Sequence, residues 1–376
     1  MQNNHLTYFK IENFKKFESL EVNNVGQFNL IVGDNNVGKT CLLEALLFDE
    51  NFSKWTHNLH QTLNIRGLNF RAYFENEFGS NKVEFPDKSY FNYIVRDIIK
   101  PLSISFKKGD TKNEVLSIEY KNISETNPID FEKRKDNYDY KNLQHWLKFY
   151  KNSSFEEIQF MYQDDISVND FYWPFISFNL SYSNDLEDFL RILDKKREEF
   201  IHKTNDLNYD HKQEILKVLN KIFNYNLVDF QTKEHGDYGM ISFATKTDKE
   251  YKAITQYGDG FQKIFRYIVE ILYIIGTSEK RLMIDEIDTG IHHSKMKEFC
   301  KIFVNLCRKF KVQVFATTHS LDFQNALIEA LEDESLATKK SIRLIKLKEN
   351  KDYTVKAITY PYNEFEYLVE SKSETR

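Results

Sequence analysis

The stretch FNLIVGDNNVGKTCLLEALLF, residues 28–48, decides the fold of this chain. Residues 28–32 have strand character, the following loop fits the pattern G-x-x-x-x-G-K-[ST], and an apolar helix is predicted from Lys39 to Phe48. Glycines let such a loop curl until successive N–H groups converge on phosphate oxygens, and the helix points its positive end at them. The pattern therefore predicts a nucleotide phosphate site in an α/β fold.

Each position of this loop has an expected part in the site. Lys39 is expected to reach the β- and γ-phosphates of ATP, and the Thr40 hydroxyl to ligate Mg²⁺. A chance match inside a turn is the alternative, and the flanking strand and helix disfavour it. The other positions expected to contact the nucleotide are Gly33, Asn35, Asn36, Val37, Gly38 and Cys41.

A second motif is RLMIDEID, residues 281–288, in which a hydrophobic strand from Arg281 to Asp285 delivers two acids at its end. Asp285 is expected to hold Mg²⁺, and Glu286 to polarise the attacking water as the catalytic acid–base group. The alternative is a strand that ends in an ordinary capping acid before a turn. The presence of the phosphate-loop pattern in the same chain favours the catalytic interpretation.

A third motif is VFATTHS, residues 314–320, which follows the second in the chain. His319 lies just past a strand predicted from Val312 to Thr317, where its side chain could reach a γ-phosphate. A single histidine in such a position is more often structural. Its place after the two acids favours a catalytic role, whereas His292 and His293 are expected to be solvent or interface residues.

A fourth motif is QYGDG, residues 256–260, immediately before a long helix whose apolar positions keep helical spacing from Phe261 to Ile275. Gly258 and Gly260 at a helix start predict another anion-binding N-terminus. An ordinary turn with a helix cap is the alternative. The position shortly before the two acids is what favours a nucleotide-binding role.

These four motifs, in this order, resemble those of the ABC-type ATPase superfamily, which includes structural-maintenance, Rad50 and RecF proteins. NFKKF, YGDGFQKIFR and LMIDEIDTGIHHS are closer still to stand-alone bacterial ATPases of the AAA15 or OLD-like group. The resemblance implies a signature, Gly258 and Gly260, that completes the ATP site of the opposite subunit. It also implies a switch histidine, His319, and a lid-loop glutamine at the metal, for which Gln163 is the candidate.

The expected architecture is an ABC-type P-loop head with a mainly parallel central sheet, an antiparallel β lobe and a helical insertion. Helices are predicted from Asp185 to His202 and from His211 to Phe223. The expected divisions are the first part of the head at 1–124, a mostly helical insertion or lid at 125–225, the second part of the head at 226–345 and a tail at 346–376.

Composition narrows the class of protein. Lys and Arg number 52 against 57 Asp and Glu, a formal net charge of -5, so binding along duplex DNA is disfavoured although local basic patches remain possible. Three cysteines cannot build a disulfide framework or a four-ligand zinc site. No apolar run is long enough to span a membrane. We expect a cytoplasmic protein with no membrane partner.

The resemblance implies a regulatory ATPase, a sensor or scaffold for a separate nuclease or toxin effector in a two-gene anti-phage system. It also implies a homo-oligomer joined through ATP sites, and a phage protein as trigger. The residues after His319 are expected to be too few for the nuclease half of OLD-type proteins. The alternatives are a RecF-like DNA-binding repair ATPase and a nucleotide hydrolase that acts alone.

Overall fold

The structure, a computed structural model, describes residues 5–48, 94–122, 145–152, 154–160, 175–176, 211–235, 238–248, 250–275 and 280–371. The predicted helix from Asp185 to His202 and the candidate Gln163 lie outside these residues. The described strands are β1 Leu6–Phe14, β2 Phe17–Val22, β3 Phe28–Val32, β4 Leu102–Lys108, β5 Glu114–Asn122, β6 His145–Lys151, β7 Ser154–Phe160, β8 Phe175–Ile176, β9 Leu227–His235, β10 Tyr238–Thr245, β11 Lys252–Ala253, β12 Arg281–Ile284, β13 Gln313–Thr317, β14 Ile342–Glu349 and β15 Val355–Pro361. The described α-helices are α1 Lys39–Ala45, α2 His211–Phe223, α3 Asp259–Ile274, α4 His293–Phe310, α5 Leu321–Leu331, α6 Leu336–Lys340 and α7 Tyr362–Glu370.

The central sheet has the strand order β15-β14-β3-β13-β12-β8. Neighbours from β14 to β8 pair in parallel, and β15 is antiparallel to β14. Every residue of β3, β12 and β13 is buried, as expected for parallel strands covered on both faces. Because parallel strands end at the same edge, the loops after these three strands lie together.

Alternating side chains of the central strands enter two different cores. Leu30 of β3 and Leu344 of β14 belong to a core shared with the helices α2 to α5 and with the strands β9 and β10. Ile31 and Ile345, the next residue along each strand, belong to a core shared with α1 and the strands β1, β2, β4 and β5. The period of two along a strand thus places the sheet between two layers.

The β lobe is an antiparallel sheet with the order β2-β1-β4-β5-β6-β7. Within it, β4 and β5 pair in antiparallel register from Leu102 to Phe106. The expectation of mostly helical structure from 125 to 225 is wrong for 145–151 and 154–160, which extend this lobe as β6 and β7. The aromatic-rich segments HWLKFYK and SFEEIQF favour strands, and Asn152 between them adopts a left-handed φ of 49°.

The tail predicted for 346–376 is also wrong for its described part. Lys346 lies inside β14, whose chain then turns back as β15 and ends in the helix α7. β14 lies between β15 and β3 and half of its residues are buried, whereas β15, at the edge of the sheet, has one buried residue. The helix predicted from Lys39 to Phe48 ends at Ala45. Residues 46–48 form hydrogen-bonded turns after it.

On the helical side, β11, β10 and β9 form an antiparallel sheet in which β9 pairs with β10. The helix α3 starts two residues before the predicted Phe261, with Asp259 in its first turn. Within the described part of the chain, no helix has both the length and the apolar character needed to cross a membrane.

Candidate functional site

The loop between β3 and α1 has the conformation that a phosphate cradle requires. Gly33 has φ +143° and Gly38 φ +111°, values that side chains rarely adopt. A Cβ at Gly38 would lie 2.8 Å from the Phe17 ring, and one at Gly33 would lie 2.5 Å from the carbonyl oxygen of Leu347. Asn35 and Asn36 are exposed at the loop tip and Val37 is buried beneath them. Both glycines are therefore required by the backbone.

Lys39 begins α1 and folds back over the loop. Its Nζ donates to the carbonyl oxygens of Gly33 and Asp34, each at 2.8 Å, and the residue is only 7% exposed. Burial lowers the pKa of Lys39, while the charge of Asp285 acts in the opposite direction. A desolvated ammonium group held by two neutral carbonyls has a strong requirement for an anion. The next helical positions, Thr40 and Cys41, are half-buried.

Asp285 follows β12 directly and accepts two hydroxyl hydrogen bonds. Thr40 donates to its Oδ2 at 2.9 Å, and Thr317 donates to its Oδ1 at 2.6 Å. Burial raises the pKa of Asp285, against the effect of these hydrogen bonds. Mg²⁺ takes oxygen ligands and is often held by one or two carboxylates plus substrate phosphates and waters. The Thr40 and Asp285 oxygens fit such an ion, and no group of three or more His, Cys, Asp or Glu side chains among the described residues offers an alternative metal site.

Glu286 occupies the turn after Asp285 with a left-handed φ of 53°, an uncommon conformation for a non-glycine residue. Its backbone N–H donates to Oγ1 of Thr317 at 2.8 Å. Its Oε2 accepts from Oγ1 of Thr289 at 3.3 Å. The partly exposed carboxylate is therefore aimed by the turn itself and by one hydroxyl of that turn.

His319 lies two residues beyond the end of β13 at the same edge of the sheet, and it is exposed. Desolvation lowers the pKa of His319, and the positive charge of Lys39 lowers it further, whereas the charges of Glu286 and Asp288 raise it. His319 thus lies within electrostatic range of Lys39 from the first motif and of Glu286 from the second. A neutral imidazole at this edge can donate or accept a hydrogen bond.

The glycines of QYGDG lie at the start of α3 in two different environments. A Cβ at Gly258 would meet no atom within 4 Å, whereas one at Gly260 would lie 2.8 Å from the carbonyl oxygen of Gly290. Gly260 is thus required by packing within the chain. Gly258 faces open space, and its carbonyl accepts from the N–H of Phe261 at 2.9 Å as the helix begins.

Several residues of the site were not predicted from the sequence. Thr317 bridges Asp285 and Glu286, and Thr318 donates to Oδ1 of Asp288 at 2.5 Å. Lys16, from the hairpin between β1 and β2, donates to the carbonyl oxygen of Asn36 and pairs with Glu349, both at 2.6 Å. For Thr317 and Thr318, the available signal was a pair of adjacent threonines in VFATTHS at the end of a buried strand.

Comparison with known proteins gives matches to a family and to individual proteins. The family described as "AAA domain, putative AbiEii toxin, Type IV TA system" matches residues 28–323. A Helicobacter pylori (strain ATCC 700392 / 26695) protein named "ATP/GTP phosphatase" is 25% identical over 386 residues, covering 96% of this chain and 97% of that protein.

Solved structures of SMC heads are also similar. The SMC head domain from Thermotoga maritima aligns with a TM-score of 0.46 and 11% identity, over 95% of this chain and 99% of that one. A second similar structure, derived from Pyrococcus furiosus, is the Smc head domain with an extended coiled coil bound to the C-terminal domain of ScpA. It aligns with a TM-score of 0.46 and 11% identity, over 98% of this chain and 100% of that one.

Proposed function

Because the chain belongs to the AAA-domain family of AbiEii-like proteins and is an ATPase, we propose that it binds Mg-ATP between two copies of itself and thereby regulates a separate effector protein. In this proposal it is a cytoplasmic ATPase of the ABC type. The AAA15 or OLD-like group is the closest assignment that its motifs support.

The observation that carries the proposal is the bond between Thr40 and Asp285. It joins the phosphate loop to the acidic turn, although 245 positions separate the two residues. Lys39 and Glu286 are their immediate chain neighbours. One edge of the central sheet thus holds a cation for phosphates, two oxygens for a metal ion and a carboxylate for water, which are the groups that ATP hydrolysis requires.

In the proposed reaction, Lys39 and the loop N–H groups bind the β- and γ-phosphates. Thr40 and Asp285 would hold Mg²⁺, which supplies charge neutralisation at the phosphates when it is bound. Glu286 orients the attacking water and accepts its proton. His319 contacts the γ-phosphate through its imidazole ring. The loop residues Gly33, Asn35, Asn36, Val37, Gly38 and Cys41 bind the rest of the triphosphate.

Gly258 supports completion of the site by a second copy. Neither its surroundings nor its φ requires a glycine within this chain, in contrast to the close approach at Gly260. A residue without a side chain at an exposed helix start leaves room for a ligand to approach the backbone. In our proposal that ligand is the ATP held by Lys39 of the other copy.

Mixed dimers test this arrangement. Lys39→Ala and Gly258→Glu should each abolish hydrolysis in a pure dimer, and mixing the two should restore activity. Random pairing makes about half of the dimers mixed. In each mixed dimer, one of the two sites combines an intact Lys39 with an intact Gly258, so about a quarter of the wild-type rate is expected. Gly258→Ala, which adds only a methyl group in open space, is the control for folding. No recovery on mixing would show that Gly258 does not act across an interface.

The family description links the matched domain itself to a Type IV TA system, and the separate effector is our extension of that link. An ATP site shared by two copies is a mass-action switch, because ATP stabilises the engaged state. We propose that engagement controls a nuclease or toxin encoded nearby, with a phage protein as the trigger.

The test is to tag Glu286→Gln, express it with its genomic neighbours, and isolate it in Mg-ATP for mass spectrometry. A stoichiometric neighbour that is lost in Lys39→Ala is the expected result. Recovery of duplex DNA alone would contradict the effector proposal and favour a RecF-like repair ATPase.

A further inference from the structure

One face of α3 lies along the turn that carries Glu286. Gly260, Lys263 and Tyr267 are spaced three and four residues apart, which places them on the same side of the helix. Each meets a different carbonyl oxygen of the turn. Gly260 approaches that of Gly290, the Nζ of Lys263 donates to that of Thr289 at 2.8 Å, and the hydroxyl of Tyr267 donates to that of Ile287 at 3.3 Å.

The turn needs these contacts because Glu286 has a left-handed φ of 53°, which is a strained conformation for a residue with a side chain. Gly290, at the other end of the turn, has a φ of 77°, which glycine adopts readily. Strained conformations persist where surrounding contacts determine them. Thr289 is the link between the helix and the carboxylate, since its N–H donates to the carbonyl oxygen of Glu286 at 3.1 Å and its hydroxyl donates to Oε2 of Glu286 at 3.3 Å.

We propose that Lys263 is a positioning residue, which fixes Thr289 and through it the carboxylate of Glu286 in the same chain. The proposal rests on the function proposed above, in which Glu286 orients the attacking water. It adds that the helix offered to the partner's ATP also sets the catalytic carboxylate of its own chain. When the start of α3 moves on contact with the partner's ATP, the position of Glu286 in its own chain's ATP site would therefore change, and with it the rate of hydrolysis there.

The surroundings of Lys263 fit this role. The side chain is half-buried, and Nζ would lie 3.3 Å from a Cβ placed on Gly290, so the turn and the lysine are in direct contact. Desolvation lowers the pKa of Lys263, and the charges of Asp259, Glu286 and Asp288 oppose that effect. A charged donor to a carbonyl forms a stronger hydrogen bond than a neutral donor does.

Substitution of Lys263 gives the first test. Lys263→Met keeps most of the stem but removes the donor, and small misplacements of catalytic groups are costly, so kcat should fall about tenfold or more. The affinity for a non-hydrolysable ATP analogue should stay within about twofold, because the hydrogen bond from Lys263 goes to the turn that carries Glu286 and not to the phosphate loop. Lys263→Arg should recover most of the rate.

The matched control is Lys297→Met, which removes an exposed lysine that pairs with Glu329 at 3.5 Å. Its kcat should equal that of the wild type. An unchanged kcat in Lys263→Met, or a loss of analogue affinity as large as the loss of kcat, would overturn the proposal.

Mixed dimers show whether Lys263 acts on its own chain. Mixing Lys263→Met with Lys39→Ala should restore no activity, because the one site with an intact phosphate loop then contains the mispositioned Glu286. Recovery to the level of the Gly258→Glu and Lys39→Ala mixture would place the effect in the partner's site and overturn the proposal. If that reference mixture itself fails to recover, sharing of the site is wrong, whereas the kcat and affinity result still decides the role of Lys263.

Discussion

The hydroxyl of Thr40 donates to Oδ2 of Asp285 over 2.9 Å and so joins the phosphate loop to the acidic turn. The other carboxylate oxygen accepts from Thr317, and Oγ1 of Thr317 in turn accepts from the N–H of Glu286. Two groups that would bind a metal ion are thereby held in place by the fold, and the rotation of each is restricted. Preorganised oxygen ligands are what a small, reluctantly dehydrated cation such as Mg²⁺ requires.

Asp285→Asn should stabilise the protein without nucleotide at neutral pH. Burial holds the pKa of Asp285 above its ordinary value of 3.8, so the folded state binds this proton more tightly than the unfolded chain does. The stability from this group is fully present below pH 3.8 and is lost as the pH rises through the folded-state pKa. The ionised carboxylate therefore lowers stability at pH 7, and its removal should raise Tm by about a few degrees.

Thermal unfolding at pH 7, with the exposed Asp333→Asn as control, measures this effect. Mg-ATP should raise the Tm of the wild type and leave that of Asp285→Asn unchanged. A Tm for Asp285→Asn clearly below that of the wild type would contradict the assignment of a desolvated, destabilising carboxylate.

The pKa of His319 should rise when ATP binds. Partial burial and the charge of Lys39 lower it in the free protein, from an ordinary value of 6.5. A γ-phosphate beside the ring adds negative charge, which favours the protonated form. Binding should therefore take up a proton near and below pH 6.5, so that affinity through this group increases as the pH falls.

NMR titration of His319 with a non-hydrolysable analogue, or calorimetry in two buffers with different ionisation enthalpies, measures the proton uptake. His319→Gln removes it and separates this contribution from titration of the nucleotide. A His319 pKa that is the same with and without analogue would exclude contact with the γ-phosphate.

Alanine should destabilise the protein at Gly260 and leave its stability almost unchanged at Gly258. The methyl group at Gly260 would lie 2.8 Å from the carbonyl oxygen of Gly290, a backbone atom, so Gly260→Ala should cost about 1–3 kcal/mol of unfolding free energy. Gly258→Ala meets no neighbour and should stay within about 1 kcal/mol of the wild type.

Urea unfolding compares the two variants directly. Equal destabilisation, or a larger loss at Gly258, would show that Gly258 is packed within its own chain and would remove the main structural support for a shared ATP site.

The sequence was sufficient to predict the strand, loop and helix of the phosphate-loop motif and the buried strand that ends at Asp285 and Glu286. These features follow from local patterns, because the polar residues that end a buried parallel strand lie at the carboxyl edge of the sheet. The lobe strands β6 and β7 were missed because HWLKFYK and SFEEIQF lack a regular apolar–polar alternation, although their aromatic residues favour strands.

Contacts between distant segments could not be predicted in the same way. Lys263 belongs to an amphipathic helix in which a lysine is unremarkable, and its role depends on a carbonyl oxygen 26 positions later in the chain. Lys16 likewise reaches the phosphate loop only because the hairpin between β1 and β2 folds against it. The placement of Gln163 stays a prediction, since it lies outside the described residues.

The most direct test of a shared ATP site is the molar mass of Glu286→Gln, measured by light scattering in Mg-ATP. This variant should bind ATP and hydrolyse it about 100-fold or more slowly than the wild type, because the general base is lost. We predict conversion from monomer to dimer or a higher oligomer on addition of Mg-ATP, with no conversion when Lys39→Ala or Gly258→Glu is added to the same chain. A Glu286→Gln protein that is saturated with ATP and remains monomeric would contradict the account.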